Sequence, residues 1–192
     1  MKIITGDLLA NTSGILVQGC NCQGRMGSGI AKLISSQYAD VYDRYVEKHR
    51  RSGLQLGDVQ FVWSAALAKT ELAPVVARHL SLADRAMHLP SGLIVANAMT
   101  QEFYGTDKDV TYVDYGAVFS AFARIRLVAR DLKMPVRFPL IGAGLANGKW
   151  PRIAQAIEAG LREQWERAEL WIQPGAVLPE GLVLAQASLL EE

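Results

Sequence analysis

Hydrophobic positions in this chain come in short runs that alternate with stretches of helical period. Lys2 to Thr5 is a β-branched run closed by Gly6 and predicts a first strand. Ile15 to Val17 is a compact apolar run of the kind shown by a strand buried on both faces. Helix is expected from about Ser28 to Gln37, with Ile30, Leu33 and Ile34 on one face, and again from Val41 to Arg51, with Val41, Tyr42 and Tyr45 inward. Asp58 to Trp63 reads as the next strand. Ala65 to Leu82 is alanine- and leucine-rich with Pro74 inside it, which fits one broken helix or an inserted excursion.

Leu93 to Ala98 predicts another short strand, followed by the polar, aromatic-bearing loop MTQEFYGTDKD. Asp114 reads as the N-cap of an amphipathic helix from Tyr115 to Lys133, whose buried stripe is Val118, Phe119, Phe122, Ile125 and Val128 or Ala129. A strand from Pro135 to Leu140, a helix from Pro151 to Arg167 and a strand from Glu169 to Ile172 complete the pattern. Strands alternating with helices imply an α/β fold with the sheet covered on both faces. The expected organisation is one domain over residues 1–192, with an excursion at about 64–90. The tail from about 174 is apolar but weakly patterned and carries no assigned function.

Composition adds mainly exclusions. Of 192 residues, 50% are hydrophobic and 20% charged, as in ordinary globular proteins, and the net charge is only +1. No broad basic field therefore favours nucleic acid or a membrane, and an anionic ligand must be held by local dipoles. The cluster Lys48, His49, Arg50, Arg51, followed by Gly53, is what a helix C-terminus favours, and is read as that. No stretch approaches a membrane span and MKIITGDLL lacks signal-peptide character, so a cytosolic location is expected. Cys20 and Cys22 are spaced too closely for a relaxed disulfide, and His49, His79 and His88 show no ligand spacing relative to them. Reduced thiols, with no metal and no cofactor, are the expectation.

The chemistry-bearing stretch is ILVQGCNCQGRMGSGIA, residues 15–31: a strand, a loop with Gly19, Gly24, Gly27 and Gly29, then a helix start. Free backbone N–H groups and the helix dipole make such a junction a site for an anion, with a phosphate or diphosphate the expected guest. The glycines follow neither the dinucleotide fingerprint nor the nucleotide triphosphatase loop. A second strand-to-helix junction, IGAGLANGKW, carries Gly142, Gly144 and Gly148. Strand C-terminal ends share one edge of an α/β sheet, so the two loops are expected to flank one crevice. The competing reading is that both sets are packing or turn glycines. Asp7, after Gly6, suits a turn or a cap, or else a carboxylate accepting from an exocyclic amine.

GDLL, NCQGRMGSGIA, a Tyr-Val-Asp-Tyr helix start and FPLIGAGLANGKW resemble the macrodomain family. Within it they come nearest the branch of the terminal ADP-ribose glycohydrolase, the DarG antitoxin type and phage macrodomains. The resemblance covers about Met1 to Gln173, with Ser64 to Pro90 unusually long or divergent. It implies a three-layer α/β/α fold with a central mixed sheet and a cleft for ADP-ribose or a derivative, free or carried on a modified protein or nucleic acid. By that resemblance Asp7 accepts from the adenine amine with Leu8 beside the base. Gly27, Ser28, Gly29 and Ile30 hold phosphate and distal ribose. Ile141, Gly142, Ala143, Gly144, Leu145 and Ala146 close over the diphosphate, and Asn21 lies near the distal ribose.

Departures from the family bear on catalysis. De-ADP-ribosylating members have a loop lysine where this chain has Gln101, and the glycohydrolase type has an acid where it has Ala146. Neither supports a Schiff-base route through an opened ribose. Asn21, Gln23, Asn97, Gln101 and Tyr104 are candidates to line a distal pocket. Glu102 and Asp107 are candidate bases for phosphate removal from ADP-ribose 1''-phosphate. His88 reads as structural, and neither cysteine has a sequence-placed histidine to activate it. Three readings stand: an ADP-ribose-binding module, a hydrolase of an ADP-ribose derivative, and a structural domain that binds no nucleotide.

Overall fold

The sheet is mixed and follows the order β1-β7-β6-β2-β5-β3-β4 in the computed structural model, which describes residues 1–182. The end of the predicted tail, residues 183–192, lies outside the described residues. The strands are β1 (Lys2–Thr5), β2 (Ser13–Asn21), β3 (Val59–Ser64), β4 (Arg85–Ala86), β5 (Gly92–Gln101), β6 (Val136–Phe138) and β7 (Glu169–Ile172). All neighbours pair in parallel except β3 and β5.

Helices α1 (Gly29–Gln37) and α2 (Ala39–Ser52) cover one face. The other face carries α3 (Ala73–His79), α4 (Tyr115–Leu132) and α5 (Trp150–Leu161). Alternation along each strand fills two cores. Ile15 and Val17 of β2 join Phe122, Phe138 and Ile153 on the α4/α5 side. Leu16 and Cys20 join Ile34, Val41 and Tyr45 on the α1/α2 side. This is the three-layer α/β/α arrangement with a mixed sheet. No helix among the described residues is long and apolar enough to cross a membrane.

Local signals act as read. The Asp114 carboxylate accepts from the Ala117 amide at 2.7 Å and caps α4. Gly53, at φ +73°, ends α2 behind its basic last turn. Pro151 sits in the first turn of α5.

Four expectations are corrected. Leu33 is 47% exposed, because α1 packs through Ile30 and Ile34, four residues apart, and Leu33 lies one step round the helix. Phe119 is 41% exposed, flanking the stripe made by Val118, Phe122 and Ile125. The α-helix expected to reach Arg167 ends at Leu161, where Arg162 turns to φ +48° and a 3-10 stretch follows. The central strands outrun their apolar runs. β2 extends to Asn21 and β5 to Gln101, because polar side chains inside them bond one another across the sheet, Gln18 Oε1 alone in that row being left without a partner among the described residues.

That last point forms a row across three strands. Gln18 Nε2 donates to Asn97 Oδ1 (2.7 Å), Asn97 Nδ2 to Gln60 Oε1 (3.1 Å), and Gln60 Nε2 to Asp84 Oδ1 (2.7 Å) and the Arg44 carbonyl (2.8 Å). Gln18, Asn97 and Gln60 are in register and fully buried beneath α2.

The segment 64–90 is several short pieces rather than one continuous helix. It consists of a 3-10 stretch (Ala65–Lys69), α3, a second 3-10 turn (Leu82–Asp84) and β4. Leu67, Val76 and Leu80 anchor it in the core. The Trp63 indole donates to the Ser81 carbonyl (2.8 Å), and His79 pairs with Asp131 of α4 (2.8 Å). None of its residues borders the cleft described next.

Candidate functional site

β2 and β6 end side by side, and the loops that leave them enclose a cleft of about 990 Å³. Residues 25–31 line one wall. Pro139–Ile141, Gly142 and residues 144–146 line the other, with Gly19, Asn21 and Thr100 between them. Tyr104, Gly105 and Thr106 border the cleft from the loop after β5, and Trp171, Ile172, Gln173 and Ala176 border it from β7 and the chain beyond.

Asn21 shapes the first loop from inside. Its Nδ2 donates to the Arg25 carbonyl (2.7 Å), and its Oδ1 accepts from the amides of Gln23 (2.9 Å) and Arg25 (3.3 Å). The Tyr45 hydroxyl, buried in α2, donates to the Asn21 carbonyl. The loop then delivers α1 with its N-terminus toward the cleft. Ser28 is the N-cap, yet its hydroxyl makes no capping bond. Among the described residues, the amides of Gly27, Ser28, Gly29, Ile30 and Ala31 find no protein acceptor. A helix start with unspent donors attracts anions.

The second loop is braced from behind. The Gly148 amide donates to the Gly142 carbonyl (2.8 Å), and the Tyr112 amide to the Ala146 carbonyl (2.9 Å). Asn147 Nδ2 reaches the carbonyls of Asp107 and Val110, each at 2.7 Å, tying this loop to the segment after β5. The amides of Gly144, Leu145 and Ala146 have no acceptor among the described residues.

The glycines divide into two kinds. A Cβ on Gly142 would lie 2.8 Å from Val113 Cγ2, one on Gly148 2.5 Å from Val113 Cγ1, and one on Gly19 2.9 Å from Ile141 Cγ2. Those three are glycine because the fold is tight. A Cβ on Gly27, Gly29 or Gly144 would meet nothing within 4 Å. Gly29 still needs its φ of +54°, but no packing or left-handed backbone demands glycine at 27 or 144.

Of the residues singled out from sequence, Asn21, Gly27, Ser28, Gly29, Ile30, Gln101, Tyr104, Ile141, Gly142, Gly144, Leu145 and Ala146 come together around the cleft. Asn97 does not, since it lies in the buried amide row, four residues short of the end of β5. Ala143 packs against the core. Leu8 is buried at the end of β1, and Asp7 caps the turn Leu8–Ala10 by accepting from the Leu9 amide at 2.8 Å. Glu102 is exposed outside the cleft, and Asp107 and His88 also lie elsewhere. Gln101 Nε2 is occupied by the Phe103 carbonyl (2.8 Å).

Sequence reading missed Arg25, Tyr42, Thr100 and Trp171. Trp171 was masked by its place in an apolar strand, and its ring edge rests on Gly6, where a Cβ would lie 3.2 Å away.

The cleft is poor in acid–base groups. Among the described residues, Arg25 is the one charged side chain that lines it. Cys20 and Cys22 are free and buried. Burial pushes both thiols up, that of Cys22 to about 12 with Glu102 adding to the effect, so neither is a thiolate at neutral pH.

No family model matches the chain. The solved macrodomain of Thermus aquaticus DarG superposes with a TM-score of 0.62 at 21% identity, covering 90% of this chain and 96% of that one. The chain has the macrodomain fold. The chain is also 26% identical over 175 residues to a Thermus aquaticus DNA ADP-ribosyl glycohydrolase, with 90% of the chain aligned. It spans 40% of the length of that relative. A Meyerozyma guilliermondii ADP-ribose 1''-phosphate phosphatase is 29% identical over 164 residues, which cover 78% of this chain and 87% of the phosphatase.

Proposed function

We propose that this macrodomain binds ADP-ribose, free or attached to a protein or nucleic acid, and that it recognises the group rather than removing it through a lysine. The observation that carries this reading is the convergence of two sets of unspent amides on one cleft, beside glycines that no packing requires. Backbone donors neutralise a diphosphate without lysines and admit it close to the main chain. The names of both curated relatives contain ADP-ribose chemistry, which supports the same ligand.

In this reading the amides of 27–31 and 144–146 hold the diphosphate, and Arg25 adds the cation. Trp171 offers a face to the adenine. Asp7, one residue past the glycine that carries the Trp171 ring, keeps its Oδ2 for the exocyclic amine. Gln101 and Asn21 border the distal ribose, both with their side-chain amides engaged in shaping the backbone. The absence of a lining carboxylate, histidine or lysine among the described residues favours recognition over hydrolysis. The two buried reduced thiols fit a cytosolic setting.

Titration calorimetry with ADP-ribose, ADP and AMP tests the reading. Saturable binding of ADP-ribose, tighter than AMP, is expected, and no heat at millimolar ligand would sink it. Parallel incubation with ADP-ribose 1''-phosphate and with ADP-ribosylated DNA and protein reads out any hydrolysis. Release of phosphate or ADP-ribose at enzymatic rates would favour the hydrolase reading instead.

A further inference from the structure

Trp171 does not lie free against the cleft. Its indole Nε1–H donates to Glu169 Oε2 (3.1 Å), two residues back on the same face of β7. The same oxygen accepts from Arg137 Nε (2.8 Å), and Arg137 Nη1 donates in turn to the Ser13 carbonyl. Arg137 and Glu169 are register partners on β6 and β7, and their side chains are only 14% and 18% exposed. Gly14, at φ +86°, makes the room. A Cβ there would sit 2.7 Å from Arg137 Nη1. The indole is thus held by its N–H at one edge and rests on Gly6 at the other.

A mostly buried ion pair adds little to stability that well-packed apolar residues would not supply. What it provides here is direction: a charged acceptor, itself fixed by a guanidinium, that allows the ring one orientation. We propose that Glu169, oriented by Arg137, is a positioning residue that sets the Trp171 ring as a wall of the cleft and thereby makes binding selective for ligands that carry a base. This rests on the ADP-ribose reading of the cleft. Base stacking on an aromatic face is strongly geometry-dependent, so a ring free to turn loses much of it.

The test uses the full chain, 15N-labelled, with the Trp171 indole resonance assigned through Trp171→Phe among the four tryptophans. Glu169→Leu is expected to move that resonance upfield. It should weaken ADP-ribose binding about fivefold to twentyfold while leaving inorganic pyrophosphate, which has no base, within about twofold. Glu169→Gln keeps an acceptor for the indole and should restore ADP-ribose affinity to within about threefold of wild type. If Glu169→Leu does not fold, Arg137→Met, which leaves the carboxylate but removes its anchor, is read on the same resonance and the same two ligands. An unmoved indole signal, or equal loss for ADP-ribose and pyrophosphate, overturns the proposal. If the wild-type protein binds no ADP-ribose, the ligand reading falls, and the indole resonance still decides whether Glu169 positions the ring.

Discussion

Gly27→Ala and Gly144→Ala, set beside Gly142→Ala, separate a glycine kept for a ligand from one kept for the fold. At Gly27 and Gly144 an added methyl meets no atom within 4 Å, and neither residue has a positive φ. The folded state therefore gains no strain, and the unfolded chain loses some freedom. The expected change lies between zero and about +1 kcal/mol in stability. At about 2–4 °C per kcal/mol for a domain of this size, the melting temperature holds or rises by a few degrees. Gly142 has φ +73° and its Cβ would press on Val113 at 2.8 Å. A left-handed alanine costs about 1–2 kcal/mol and the overpacking about 1–3 kcal/mol more. The melting temperature should then fall by roughly 4–20 °C.

Affinity should order the three variants differently. A methyl at Gly27 or Gly144 keeps a phosphate oxygen from one amide. Losing one hydrogen bond to a charged oxygen costs about 1.5–3 kcal/mol, or roughly tenfold to a hundredfold in Kd. Differential scanning calorimetry and ADP-ribose titration on the same samples give both numbers. The reasoning fails if Gly27→Ala binds as wild type does, or if it loses as much thermal stability as Gly142→Ala.

Asn97→Leu leaves the buried Gln60 Oε1 without a partner and Gln18 Nε2 with only the weak Met26 sulfur acceptor at 3.8 Å. Urea denaturation should show a loss of about 2–5 kcal/mol, with ADP-ribose affinity of the folded protein unchanged. Tyr45→Phe removes the hydroxyl that holds the Asn21 carbonyl, and should cost about 1 kcal/mol by the same assay and severalfold in ADP-ribose affinity by titration. The Arg130 guanidinium and the His79 ring beside Asp131 hold its carboxyl down at about 2, below its usual 3.8. A depressed carboxyl contributes stability that is complete above about pH 4 and is lost as pH falls toward 2. The urea midpoint should drop across that window, and Asp131→Asn should flatten the drop.

The elements were legible wherever a local rule governed them. Asp114, Gly53 and Pro151 announce helix ends because capping and φ preference act within a few residues. The two glycine loops were legible for the same reason. A strand followed by glycines and a helix start has open amides whatever surrounds it. Side-chain direction was less legible. Leu33 and Phe119 sit at helical spacing from core residues, yet neighbouring helices and strands reach only part of each stripe.

Polar residues inside strands misled most. Asn97, inside the predicted strand Leu93 to Ala98, was a candidate to line the distal pocket. Its actual partners, Gln18 and Gln60, lie 79 and 37 residues away in sequence. Trp171 was not singled out, because it lies inside the predicted strand Glu169 to Ile172. Its cleft exposure depends on Gly6 beneath it and on Glu169 beside it.

By itself the sequence determined the α/β alternation, the helix caps and the presence of two anion-ready turns, since each follows from forces that act over a few residues. Tertiary structure decided which glycines are free to face a ligand, which amides are consumed in the core and which aromatic borders the cleft. Those outcomes depend on what packs against each position, and strand order brings those neighbours from distant parts of the chain.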